Sequence, residues 1–124
     1  MSLTRRHFLA SLSLLVSALA VTPWRRAAAS GPTLHRRLRI ARRAIGRAYL
    51  AAHPEDDDAQ RLGLALAPIT GSPDLHDNAA ISFRADPVAR AITADFAAGR
   101  TRRVQGWILS LTECRLCAAA ALAA

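Results

Sequence analysis

Cys114-Arg115-Leu116-Cys117 is the stretch of this sequence whose residue types and spacing come closest to covalent chemistry. Two thiols three positions apart can share a disulfide, and a C-x-x-C near a helix N-terminus lowers the thiol pKa. The surroundings do not complete a reaction centre. No βαβ pattern encloses the pair and neither Pro nor Gly separates the thiols, which argues against a thioredoxin-like role. Ala118 stands where c-type haem attachment requires His, and two cysteines without a second pair make a poor zinc site. Three readings stay open: buried free thiols, a disulfide between Cys114 and Cys117, and a redox pair.

The other reactive residue types are scattered. His35, His53 and His76 each fall near the end of an expected helix, and none has a second ligand three or four positions on. Glu55-Asp56-Asp57-Asp58 is an acidic run, but consecutive acids on a helix point in different directions, and the spacing, Gly and terminal Glu of a calcium loop are missing. There is no Gly-rich phosphate loop, no nucleophile elbow and no Ser-His-Asp arrangement. No catalytic, cofactor-binding or metal-ligating residue is assigned, and an enzyme acting by itself is not expected.

The elements that must carry these residues are short helices. Apolar residues at Leu34, Leu38, Ala41, Ile45, Tyr49 and Ala52 recur at steps of three or four and predict one helix over Leu34 to Ala52. Arg36, Arg39, Arg43 and Arg47 share another of its faces, with Arg37 and Arg42 beside them. That face is a solvated surface or a patch for anionic lipid heads or an acidic partner. Pro54 and the acids after it read as the start of a second helix, stopped at Pro68. Ser72-Pro73 opens a third, with Leu75, Ala79 and Phe83 on one side. Asp86-Pro87 opens a fourth, carrying Val88, Ile92 and Phe96 and closing at Gly99. Arg100 to Arg103 read as a basic turn. Val104 to Leu109 alone has strand character, too short to build a sheet by itself. Ser110-Leu111-Thr112-Glu113 is a capping box that starts a last helix running to about Leu122. The expected architecture is all-α, a small bundle of four or five short helices.

Before the bundle comes a different kind of segment. Thr4-Arg5-Arg6-His7-Phe8-Leu9 is followed by an apolar run to Val21, then by Pro23 and by Ala27-Ala28-Ala29. This is a charged n-region, an apolar h-region and a small-x-small cleavage site in order. It resembles the twin-arginine (Tat) export signal, with Arg5, Arg6, Phe8 and Leu9 on the motif and Ala10 where that family usually has Lys. The resemblance implies a signal peptide over 1–29, cut by signal peptidase after Ala29, with Ala27 and Ala29 as the small residues. It also implies passage through the Tat translocase to the periplasm and leaves one helical domain over 30–124. The run Phe8 to Val21 is shorter than the roughly 20 residues a spanning helix needs, so membrane contact is expected to be transient or peripheral.

The chain carries 17 basic residues against 9 acids, a formal charge of +8. Every basic residue is Arg, and four leave with the signal, so the remaining domain stands at +4. That balance is a weak case for a polyanion ligand, and the expected location excludes nucleic acid as a partner. Much of the apolar half of the sequence is alanine, which predicts a thin core and a surface that wants company.

Asp95-Phe96-Ala97-Ala98-Gly99-Arg100, Gly106-Trp107-Ile108-Leu109-Ser110-Leu111-Thr112-Glu113 and Arg115-Leu116-Cys117-Ala118 resemble the C-terminal signature of small Tat-exported proteins. These are grouped with the small subunit of membrane-bound FAD-dependent sorbitol and fructose dehydrogenases. The resemblance implies an accessory subunit with no cofactor of its own, FAD being held by a flavoprotein dehydrogenase partner. Tat machinery carries cargo already folded, and such a signal on a plain domain makes sense if the cargo is that partner. Phe96, Trp107 and Ile108 are then the candidate anchors, with Trp107 expected to pin the last two helices together or, in the alternative, to sit exposed in a partner's pocket. The other functions weighed are a self-contained periplasmic helical protein, a lipid-surface binder through the Arg-rich helix, and a C-x-x-C redox protein.

Overall fold

The last helix is buried along most of its length, and the rest of the fold packs around it. A computed structural model describes residues 31–124, of which 37–124 form one compact unit and 31–36 are the opening turns of a helix that belong to another. Among the described residues are five α-helices and one hairpin: α1 Gly31–Ala52, α2 Ala59–Thr70, α3 Leu75–Ala80, α4 Asp86–Ala97, β1 Thr101–Val104, β2 Trp107–Ser110 and α5 Leu111–Leu122. The chain is thus a small all-α bundle with one two-stranded insertion. The expected signal residues Arg5, Arg6, Phe8 and Leu9, and Ala27 and Ala29 at the cleavage region, lie outside the described residues.

On α5, Thr112, Cys114, Leu116 and Cys117 through Ala120 are all buried, the pattern of a helix packed from all sides. The capping box is formed as the sequence predicts. The Glu113 amide donates to Ser110 Oγ at 3.1 Å, and the Ser110 amide donates to Glu113 Oε2 at 2.8 Å. α2, α3, α4 and the hairpin pack on α5, and α1 crosses it at Gly46. A Cβ on Gly46 would stand 2.0 Å from the Cys117 carbonyl oxygen, so only glycine lets the two backbones meet there. In an isolated helix Gly46 costs about 1 kcal/mol relative to Ala; here the absent side chain is what permits the crossing. Tyr49, Leu62, Leu66, Val88 and Leu116 complete the core, each side chain of this size contributing about 1.5–3 kcal/mol by leaving water.

Four expectations are corrected. The stripe on α1 is buried only in part: Ile45 and Tyr49 pack on the core, whereas Leu38 is 51% exposed. Pro54 starts a 3-10 turn, Pro54–Asp56, and α2 begins later with Asp58 as its cap, Oδ1 accepting from the Arg61 amide at 2.9 Å. The delay arises because Asp56 turns inward to Tyr49 and Arg115. Pro68 lies inside α2, which runs on to Thr70. The carbonyl that Pro68 leaves without a donor is that of Leu64, a residue 61% exposed, where water can serve it. α3 is capped by Asp74 and ends at Ala80, before Phe83. There the Arg42 guanidinium donates to the Ala79 and Ile81 carbonyls at 3.1 and 2.8 Å and lies 4.1 Å over the Phe83 ring.

Candidate functional site

The segment between α4 and α5 behaves differently from its expectation. Thr101-Arg102-Arg103-Val104 is not a basic turn. It is strand β1, paired antiparallel with β2 in the register Thr101↔Ser110, Arg102↔Leu109, Arg103↔Ile108 and Val104↔Trp107. The two residues between the strands, Gln105 (φ 49°) and Gly106 (φ 83°), both have positive φ. This is the type I′ arrangement, whose twist suits a hairpin.

Alternation along the strands sorts the side chains. Val104 and Leu109 point to the core, and Arg103 and Ile108 face solvent. Trp107 shares the inward face with Val104, but at the tip of the hairpin it is 70% exposed. Ile108 is 58% and Phe96, near the end of α4, 47% exposed. The expectation that Trp107 pins the last two helices together is therefore corrected: it leaves the core to Val104 and Leu109 and stands outside. Phe96 also leaves the buried face of α4, which Val88 and Asp95 supply instead.

Asp95 fixes the base of this hairpin. Its Oδ2 accepts from the Thr112 amide at 2.8 Å and the Thr112 hydroxyl at 2.7 Å, and its Oδ1 accepts from Arg100 Nε at 2.9 Å. One buried carboxylate thus joins the end of α4, the entry to β1 and the first turn of α5, where the helix dipole also favours a negative charge. Burial pushes the Asp95 pKa up, but the bonds from Thr112 and Arg100 outweigh it and hold the carboxyl below its usual value. α4 closes in a Schellman turn at Gly99, with the Arg100 amide on the Asp95 carbonyl and the Gly99 amide on that of Phe96. The result is an apolar tip on a firmly clamped stem. Charge on the segment from Arg100 to Ser110 comes from Arg100, Arg102 and Arg103, with no acid among them.

A second buried carboxylate, Asp56, accepts from the Tyr49 hydroxyl at 2.5 Å and from Arg115 Nε at 3.2 Å. It ties α1 to α5. Burial and the Asp56 charge raise the Tyr49 pKa well above its ordinary value. Tyr49 also stacks on His53 at 4.6 Å, and His53 Nδ1 lies 3.1 Å from Glu55. These contacts bind elements together.

Cys114 and Cys117 are both free and buried, with no disulfide between them. Burial, with Glu113 adding to it, raises the Cys114 thiol to about 11. Burial likewise raises Cys117 to about 12, although Arg42 pulls the other way. A thiol held so far above neutral pH supplies almost no thiolate, and the pair fills the core beside Gly46. The histidines His53 and His76 do not meet, and among the described residues no group of three or more His, Cys, Asp or Glu is placed to hold a metal ion. No described helix is long and apolar enough to cross a membrane.

The sequence singled out Phe96, Trp107 and Ile108, and all three are at the surface. It missed the residues that hold them there. Asp95 bonds Thr112 across 17 positions, and nothing local to either residue signals the pairing. Compared with protein-family models, with curated proteins and with solved structures, the chain matches none. The site is thus defined by its own geometry: a clamped hairpin with Trp107 exposed on one face and Ile108 and Arg103 on the other.

Proposed function

We propose that this chain is a non-catalytic small subunit that escorts a folded flavin dehydrogenase through the twin-arginine pathway and supports its assembly on the periplasmic side. The observation that carries the reading is Trp107, 70% exposed at the tip of a clamped hairpin, with Ile108 exposed on the hairpin's other face. Exposed Trp on a preformed element is the residue type that most often dominates a protein interface, and rigidity in advance lowers the entropy lost on docking. The tip lies within the segment that resembles the small subunits of sorbitol and fructose dehydrogenases. FAD and the hydride chemistry belong to the partner in this scheme, while the twin arginines at 5 and 6 supply the address and signal peptidase removes it.

Affinity capture of the full-length precursor from cytoplasm tests the proposal. The expected result is a co-captured protein with the absorbance of bound FAD, lost in a Trp107→Ala/Ile108→Ala double variant. Deleting the chain should also remove the matching dehydrogenase activity from the periplasm. Capture of the precursor alone, together with periplasmic activity that survives the deletion, would overturn it and favour a self-contained helical protein.

A further inference from the structure

On the side of the molecule formed by α1, α3 and α5 lies a cleft of about 190 Å³. Arg39 and Arg43 of α1 and His76 of α3 stand around it, and alanines of α3 and α5, including Ala79, Ala80 and Ala120, line the remainder. No carboxylate lines it, and the alanines offer no side-chain donor or acceptor. Selection at this cleft must therefore come from charge. Two guanidiniums on successive turns suit an oxygen-rich anion, because each presents a planar fork of donors.

The cleft opens onto a longer basic surface. Arg39, Ile40, Arg43 and Arg47 follow one another along one side of α1 at helical spacing, and all four are exposed, Ile40 by 56%. The whole of α1 carries six arginines and no acid. A row of cations with one aliphatic side chain among them matches a plane of phosphates over hydrocarbon: arginines take the heads, and Ile40 enters the boundary beneath. An acidic protein surface would need its own carboxylates in matching positions, whereas a bilayer supplies a continuous phosphate layer.

We propose that the Arg39–Arg43–His76 cleft seats the phosphodiester head of an anionic phospholipid and that this side of α1 lies on the membrane surface. The contact leaves the hairpin tip, on other elements, available to a protein partner. It goes beyond the escort function and does not depend on it.

Sedimentation of the full-length protein with vesicles of phosphatidylcholine, with or without phosphatidylglycerol, reads this out. Binding should require phosphatidylglycerol and weaken as salt is added. An Arg39→Gln/Arg43→Gln variant should lose about thirtyfold in apparent affinity for the anionic vesicles. An Arg84→Gln/Arg90→Gln variant, which removes the same charge from other exposed positions, should stay within about threefold of wild type. Ile40→Ser should weaken binding without abolishing its salt dependence. Both arginine pairs are exposed, and an unchanged helical circular dichroism spectrum checks that the variants fold. The proposal is overturned by equal losses in the two double variants, which would mean net charge alone, or by indifference to phosphatidylglycerol. Inorganic phosphate that displaces the protein from vesicles at the concentration where it saturates the cleft would assign a soluble phosphate ligand instead and overturn the lipid. None of these outcomes alters FAD capture by the hairpin, so the two proposals fail separately.

Discussion

The hairpin and α5 are consecutive, sharing Ser110 as the last residue of β2 and the cap of the helix, yet they use their apolar side chains in opposite ways. Leu116 and Val88 are fully buried, while Trp107, the largest apolar side chain in the region, is mostly in water. α5 contributes mostly small residues to the core: Cys114, Cys117 and Ala118 through Ala120 let neighbouring backbones come close. Stability here depends on near approach of helices around α5 and on two buried carboxylates. The exposed tip, by contrast, contributes little to holding the fold.

The comparison breaks most sharply at Gly46. Any side chain there drives a Cβ into the Cys117 carbonyl, 2.0 Å away, and backbone cannot yield as a flexible side chain would. Gly46→Val should destabilise by more than about 3 kcal/mol, the scale of a severe core defect, and at this chain length that prevents folding. Chemical denaturation of Gly46→Ala, the gentler probe, should show a lowered midpoint. A midpoint equal to wild type would mean that α1 does not cross α5 so closely.

Asp95 comes next, since it connects the two regions. Asp95→Asn keeps the size but removes the charge that Arg100 and the start of α5 attract, and a loss of about 2–3 kcal/mol is expected. The sign with pH follows from the lowered pKa. A carboxyl that ionises more readily when folded adds stability that is fully present above its unfolded pKa. That stability is lost as pH falls through the folded value. The gap between wild type and Asp95→Asn should therefore hold above about pH 5 and close as acid takes it through about 4 and below. Denaturant titrations of both proteins across that range check it, and a gap independent of pH would assign the loss to packing.

How much of this could be read in the sequence depends on how local the cause is. The start of α5 follows from four consecutive residues, Ser110 to Glu113, and the start of α4 from Asp86-Pro87. Arg100 to Arg103 gave no strand signal because Gln, not Asn, occupies the first turn position, and only pairing with β2 makes the segment a strand. Arg115 meets Asp56 across 59 positions, and the glycine at 46 has meaning only once Cys117 is opposite. The exposed tip was half legible: Trp107 marked itself as an anchor by type, but that it stands in water follows only once Thr101 to Ser110 pair as a hairpin.

The smallest effect on stability, and the one that separates the two regions most cleanly, belongs to Trp107. Removing a buried aromatic costs about 3–5 kcal/mol, and Trp107→Ala would approach that if the indole held the last two helices together. At 70% exposure, the change should stay within about 0.5 kcal/mol. The same variant should still show reduced capture of a flavoprotein, because the indole contributes most where water is excluded from around it. Thermal melts and capture run on the one variant compare the two effects directly. A large fall in melting temperature would place Trp107 with α5 in the core. An unchanged melt with reduced capture would place it with the partner, since a residue that contributes little to its own fold is available to contribute to another's.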